Sequence, residues 1–327
     1  METRRWATRA EGRRVPWKLV GGAAAAAAAL GAMALFNRAA TERAERDHPP
    51  SGTFIRVGGV RLHYRDQGTG APILLLHGNG ATGADFVASG LVERLARSHR
   101  VIVPDRPGYG YSERPRGRIW SPQAHAELML ALMERLGADS PVVVGHSWGA
   151  LVAASAALAA PGRIKGLLLL SGYYFPTARL DVPLLSGPAI PALGDAMAYT
   201  VAPLLARAVL PALLRRIFQP MPIDARFKGE YPLALSLRPG QIRASAEETA
   251  YMIPAAAALS GRYRDIELPV VILAGDGDRI ADVERQSGRL HKEIPTSALV
   301  IVPGAGHMIE YAATEAIARA AGALAQS

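Results

Sequence analysis

Five residues constrain this chain more than any others: Gly145-His146-Ser147-Trp148-Gly149. They follow the apolar run Pro141-Val142-Val143-Val144 and precede a small-residue stretch containing Ala150, Ala153, Ala154, Ala156 and Ala157. A strand, then G-x-S-x-G, then a helix predicts a chain that turns sharply at Ser147 and pushes that side chain into a site. The glycines leave space where a Cβ would collide with the turn. A serine held there becomes a nucleophile when a base stands beside it.

Four other blocks accompany this one. Upstream lie Ile73-Leu74-Leu75-Leu76-His77-Gly78-Asn79-Gly80 and Val101-Ile102-Val103-Pro104-Asp105-Arg106-Pro107-Gly108-Tyr109-Gly110. Downstream lie Leu273-Ala274-Gly275-Asp276-Gly277-Asp278 and Gly304-Ala305-Gly306-His307. In this order the five blocks resemble the α/β-hydrolase superfamily, in its serine-nucleophile branch, from about residue 54 to the C-terminus. The resemblance implies an α/β fold with a doubly wound, mostly parallel sheet and a helical cap inserted after strand 6.

The rest of the pattern agrees with that class. Residues 53–57 and 61–65 alternate around Gly58-Gly59 and predict an antiparallel hairpin at a sheet edge. Short apolar runs at 73–77, 100–104, 142–145 and 167–171 predict buried parallel strands. Helical patterns at 91–98, 122–136 and 151–160 separate them. From 173 to about 264 the rhythm breaks into short helices, with 11 of the 24 prolines. Strands resume at 269–274 and 298–302. The organisation expected is a core in two parts, 53–172 and 265–327, around a cap at 173–264.

The serine needs a base, and His307 follows the last strand, at the carboxyl edge where open α/β sheets build sites. His77 opens a tight turn and reads as structural, and His146 is expected to point away from the site. His48, His63, His99, His125 and His291 are expected in loops, hairpins or helix surfaces. An imidazole base needs a carboxylate to fix its tautomer. Both Asp276 and Asp278 are candidates, and the family pattern G-x-x-D favours Asp278. The proline that often follows this acid in the family is absent from Asp278-Arg279-Ile280-Ala281-Asp282. The resemblance also supplies oxyanion donors, the backbone N–H groups of Asn79 and Trp148. A tryptophan after the nucleophile and an asparagine after His-Gly are similar to the haloalkane dehalogenase branch as well, where they hold halide. That branch uses an aspartate nucleophile, whose alkyl ester water can cleave. Ser147 would form an ether that water could not release, so dehalogenation and epoxide opening by that route are disfavoured.

The first 52 residues differ from the rest. Residues 1–18 form a basic flank of net charge +4, followed by an uncharged 18-residue run, 19–36, and a polar stretch, 37–52, read as a linker from Thr41. As a helix that run is roughly 27 Å long, near the thickness of a bilayer core. A signal anchor is the expectation, with the basic end in the cytoplasm and the enzyme domain outside. A cleaved export signal carrying Arg13-Arg14 is one alternative; a soluble Ala-rich helix or a wrongly extended start is another. Over the whole chain the net charge of +9 is scattered, which argues against nucleic acid as a partner. With no cysteine, disulfides and thiolate metal sites are excluded.

The expected function is a serine hydrolase cleaving a carboxylic ester of a small apolar substrate, with no metal or organic cofactor. A perhydrolase/haloperoxidase-like enzyme, an acyltransferase or a C–C hydrolase on the same triad stays open. So does a small-molecule-binding protein that keeps the fold.

Overall fold

The computed structural model describes residues 17–179 and 181–326; residues 1–16 of the basic flank, with Arg13-Arg14, lie outside the described residues. It opens with helix α1 (Trp17–Asp47) and continues into an eight-stranded sheet. The strands are β1 (Thr53–Val57), β2 (Val60–Gln67), β3 (Pro72–Leu76), β4 (Arg100–Pro104), β5 (Val142–His146), β6 (Gly166–Leu170), β7 (Val270–Gly275) and β8 (Ser297–Val302). Their spatial order is β1-β2-β4-β3-β5-β6-β7-β8. The β1–β2 hairpin runs antiparallel to β4, and the six strands from β4 to β8 are parallel. The chain leaves β3 toward one edge and returns at β5 toward the other. That reversal opens a crevice at the carboxyl ends of β3 and β5.

Successive side chains of a strand point to opposite faces, and here both faces are covered. Leu74, Leu76, Val143, Leu167 and Leu169 pack under α4 (Pro122–Arg135) and α5 (Trp148–Ala159). Ile73, Leu75, Val142, Val144 and Leu168 pack under α3 (Leu91–Leu95), which follows α2 (Ala84–Ala88), and under the C-terminal helix.

The cap lies between β6 and β7. It holds α6 (Asp181–Leu185), α7 (Leu193–Tyr199), α8 (Val201–Phe218), α9 (Ala225–Glu230), α10 (Leu233–Ser236) and α11 (Pro239–Ser260). Not all these helices are short: α8 has 18 residues and α11 has 22, each with a proline inside, Pro211 and Pro254. The core closes with α12 (Arg289–Glu293), α13 (Ile309–Ala312) and α14 (Thr314–Gln326).

The stretch read as a linker from Thr41 is helical as far as Asp47. Its exposed charges pair at one-turn spacing, Arg38 with Glu42 and Arg43 with Asp47. Its other face docks on the cap. Asn37 is buried, its amide donating to the Tyr199 and Thr200 carbonyls at 3.1 and 2.7 Å, and Ala44 is buried beside it.

Close packing of α5 on the sheet depends on bare backbone. A Cβ on Gly149 would fall 2.0 Å from the Leu76 carbonyl oxygen, and one on Gly145 would fall 2.4 Å from that of Gly149. Both obstacles are backbone and cannot swing aside. Gly149→Ala is therefore expected to force α5 off β3 at a cost of at least about 1–3 kcal/mol, lowering the melting temperature measured by circular dichroism. An unchanged melt would show that the helix has room this packing denies it.

Candidate active site

Ser147 sits between β5 and α5 with φ 54° and ψ −116°, a conformation that side-chain-bearing residues rarely adopt. The backbone is held there by the Ser147 N–H, which donates to the Leu170 carbonyl at 2.9 Å. The turn after β3 passes close by, since a Cβ on Gly78 would lie 3.1 Å from Ser147 Cβ.

His307 and Asp278 converge on this serine. Nε2 of His307 is 3.0 Å from Ser147 Oγ, and Nδ1 is 2.8 Å from Asp278 Oδ2. The other carboxylate oxygen of Asp278 accepts the N–H groups of Ile280 and Ala281 at 2.7 and 3.0 Å. Burial pushes this carboxyl up, but His307 and the two N–H donors outweigh it, so its pKa is lowered. Those N–H bonds orient the acid without the proline found in relatives. Asp276 is exposed and its Oδ1 accepts the Gly304 N–H at 2.7 Å, shaping the turn before His307. The His307 loop is held from the cap: the N–H groups of His307 and Met308 donate to the Ile217 carbonyl at 3.0 and 3.3 Å.

The N–H of Trp148 is the first in α5 and has no intrahelical acceptor by position. Among the described residues neither it nor the Asn79 N–H has a hydrogen-bond acceptor. The Asn79 side chain is occupied elsewhere. It donates to Thr249 Oγ1 at 2.9 Å and the Ser245 carbonyl at 3.3 Å on α11, and accepts from the Tyr109 hydroxyl at 2.8 Å. Its carboxamide is thus committed to the cap, unlike the halide-holding asparagine of the dehalogenase branch.

A buried ion pair supports this turn. Arg106 and Glu248 are both wholly buried, paired through both guanidinium nitrogens. Arg106 also donates to the His77 and Gly78 carbonyls at 2.9 and 3.0 Å, and the single Tyr109 hydroxyl proton is shared between Asn79 Oδ1 and Glu248, 2.7 Å away. Burial would raise the Glu248 carboxyl, yet the Arg106 charge holds it well below the usual range. His77 accepts the Arg106 N–H at 2.9 Å and is pushed down to about 3, by burial first and then by Arg106. His125, expected on a helix surface, is fully buried with Nε2 3.2 Å from Glu248, and burial lowers it to about 4. Of these partners only His77 has a role readable from the sequence, as structural; the Asp105-Arg106 pair after an apolar strand is the available signal at Arg106. Removing one member of a buried pair strands the other charge. Arg106→Met should cost about 3–5 kcal/mol in chemical denaturation, and adding Glu248→Met should recover more than half of it. Additive losses in the double variant would mean that the two charges do not act as a pair.

A second polar cluster lies behind Ser147, His307 and Asp278. His146 does point away from Ser147, toward Asp85 and Glu310, while its Nε2 lies 2.9 Å from the His307 carbonyl oxygen. The ligand atoms of Asp85, His146 and Glu310 all lie within 4.8 Å of one another, a spacing a metal ion could bridge. Burial, however, favours the neutral form of each group. It raises Asp85 well above its ordinary value, raises Glu310 to about 7 and lowers His146 to about 4. Folded Glu310 therefore keeps a proton that the unfolded chain releases near its ordinary 4.5. Stability contributed by that proton is full below 4.5 and is lost as pH rises to about 7. The loss amounts to about 3 kcal/mol. Glu310→Gln should accordingly melt higher than the parent at pH 8 and no higher at pH 4.5; equal melts at pH 8 would refute the buried proton.

A cavity of about 1270 Å³ lies away from Ser147. It lies between α1, the loop 108–120 and α11, and reaches Gln241, whose amide donates to the Gly80 carbonyl at 3.4 Å.

Comparison with known proteins places these features. The 2-hydroxymuconate semialdehyde hydrolase of Pseudomonas putida is 35% identical over 141 residues, 42% of this chain and 50% of that one. The match thus spans half the length of that relative. The 2-hydroxy-6-oxo-2,4-heptadienoate hydrolase of Pseudomonas putida is 28% identical over 268 residues, 79% of this chain and 90% of that one. Among solved structures, a membrane phospholipase A, a bacterial virulence factor, superposes with a TM-score of 0.63 at 22% identity, covering 95% of this chain and 97% of its own. The family model of the alpha/beta hydrolase fold matches residues 71–311. The chain belongs to the α/β-hydrolase family.

Proposed function

We propose that the chain is a carboxylic ester hydrolase that works through an acyl-serine. The observation that carries this reading is the line Ser147 Oγ, His307, Asp278, with contacts of 3.0 and 2.8 Å. Ser147 Oγ attacks the ester carbonyl carbon as His307 Nε2 takes its proton. Asp278 keeps Nδ1 protonated and steadies the imidazolium. The oxygen of the tetrahedral intermediate takes its negative charge between the N–H groups of Asn79 and Trp148. When the intermediate collapses, the alcohol leaves with the proton from His307. Water, deprotonated by the same nitrogen, then attacks the acyl-serine, and the acid leaves as Ser147 recovers its proton.

The same triad could serve C–C bond cleavage, and the two Pseudomonas putida relatives make their dienoate and semialdehyde substrates the natural competitors in a substrate panel. The buried side of the apolar stretch 182–214 in the cap, where Ala198 and Ala202 face inward, favours an uncharged apolar ester. We also propose that α1 anchors the enzyme in a membrane. Among the described residues it is the single unbroken helix long and apolar enough to cross one. A core helix of that length would be mostly buried, whereas its apolar window is 6% buried. The net +4 of residues 1–18 favours a catalytic domain outside the cytoplasm.

Ser147→Ala should lower kcat/KM on a chromogenic butyrate ester by roughly 10⁴-fold or more while the melt stays near that of the parent. A base must be neutral to accept the serine proton, so parent activity should rise as the pH is raised out of the acid range. His307→Ala should lose both the rate and that rise. A serine variant keeping a tenth of the activity, or a histidine variant with the parent pH profile, would remove that residue from the mechanism.

A further inference from the structure

The apolar run of α1 ends at Phe36, and the next residue is where the helix grips the cap. Asn37, 1% exposed, donates to the Tyr199 and Thr200 carbonyls and accepts from Arg207 Nη1 at 3.2 Å. The Arg207 guanidinium lies 5.5 Å from the Phe36 ring centroid. With α1 in a bilayer, the elbow at Thr200 between α7 and α8 is held where the apolar run gives way to polar residues. That level is the membrane surface.

From this elbow α8 turns outward an apolar face. Leu205, Val209 and Leu213 are 57%, 49% and 42% exposed and recur every fourth residue, so they share one side of the helix. Only alanines, Ala208 and Ala212, stand exposed between them on that side, and Arg215 and Arg216 follow. On α7, Leu193 and Tyr199 extend the exposure at 56% and 50%. A contiguous apolar surface of this kind marks an interaction site.

We propose that this face of α7 and α8 lies in the surface of the bilayer that holds α1, and that the ester cleaved is an acyl ester presented by that bilayer. The proposal rests on the ester-hydrolase and anchor readings above. Three observations favour lipid as the occupant. The face continues directly from α1 at Asn37 and Arg207. Its far end carries two arginines, Arg215 and Arg216, which meet lipid phosphates favourably. The 1270 Å³ cavity opens along α1 from Gly31 to Glu45, across the same boundary, and reaches inward to Gln241 beside the proposed oxyanion turn. Although α7 and α8 together are apolar enough to span, they bend by 58°. The far end of α8 is tied to the His307 loop through Ile217, so it lies along the surface and does not cross.

The test uses the full chain reconstituted in vesicles of phosphatidylcholine and phosphatidylglycerol containing a fluorogenic long-chain glycerol ester. Leu205→Glu/Val209→Glu/Leu213→Glu should cut hydrolysis of the vesicle ester about tenfold or more, and leave a water-soluble butyrate ester within about twofold. Soluble activity retained with vesicle activity unchanged overturns the proposal. The chain has no cysteine, so a single Leu205→Cys carrying a fluorophore reports depth without relying on activity or on the triple variant folding. Nitroxide-labelled lipid should quench it, and should not quench a label on Glu267→Cys, at the amino edge of the sheet just before β7. An unquenched Leu205→Cys label, or unlabelled Leu205→Cys chains that cross-link to each other in the vesicle, overturns it as well. A parent that cleaves neither ester refutes the ester-hydrolase reading; lipid quenching at Leu205→Cys would still support the docking face.

Discussion

Arg106 and Glu248 face each other out of reach of water, and both halves of the site hang from that contact. Arg106 follows β4 in the core, and Glu248 stands on α11 in the cap. A guanidinium has five donors in a fixed fork. Here they reach the cap carboxylate on one side and the carbonyls of His77 and Gly78 on the other. The turn that carries the Asn79 N–H is therefore fixed by the same group that fixes the cap. A buried ion pair adds little net stability over a well-packed apolar pair. What it adds here is register, because the 77–80 turn has one position that satisfies the fork.

The groups around Ser147 divide by how burial treats them. Asp278 stays ionised because two N–H donors and His307 face it, and it can stabilise an imidazolium. Asp85 and Glu310, on the far side of His146, have no such donors in number, and burial drives them toward the protonated form. A second carboxylate charge behind the histidine would compete with Asp278 for the imidazolium, and a neutral cluster does not. The strained φ of Ser147 belongs to the same arrangement. It is maintained by the close approach of Gly149 to the Leu76 carbonyl, which leaves α5 no freedom to relax.

Features with a local steric or periodic cause were legible in the sequence. The elbow at 145–149 was readable because two glycines there have a packing reason. The parallel strands were readable because both of their faces are apolar. The family pattern G-x-x-D favours Asp278 over Asp276, and in the fold Asp276 faces Gly304 while Asp278 faces His307. The partnership of Arg106 with Glu248 joins residues 142 positions apart and leaves no local pattern. Proline misled the reading of the cap, because Pro239 opens α11 where no N–H is needed and Pro211 and Pro254 sit within long helices held by tertiary contacts. Charge misled the reading of 41–47, where paired exposed residues hide a buried face at Asn37 and Ala44.

Helix α8 connects the two functional ideas physically. Near its start Arg207 holds Asn37 of α1, and near its end the Ile217 carbonyl accepts the N–H groups of His307 and Met308. Ten residues separate these contacts, a span of roughly 15 Å along one rigid element. A Cβ on Gly306 would fall 2.2 Å from the Gln219 carbonyl oxygen, so the histidine loop follows the end of α8 with no slack between them. A helix held at one end by α1 and at the other by the His307 loop couples the two, because packed backbone deforms little. The position of His307 relative to Ser147 is thereby tied to how α1 and the cap sit against their surroundings. Ser147, held by the sheet through Leu170, is not. On the proposed reading, the nucleophile would belong to the core and the base would be shared between the core and α8.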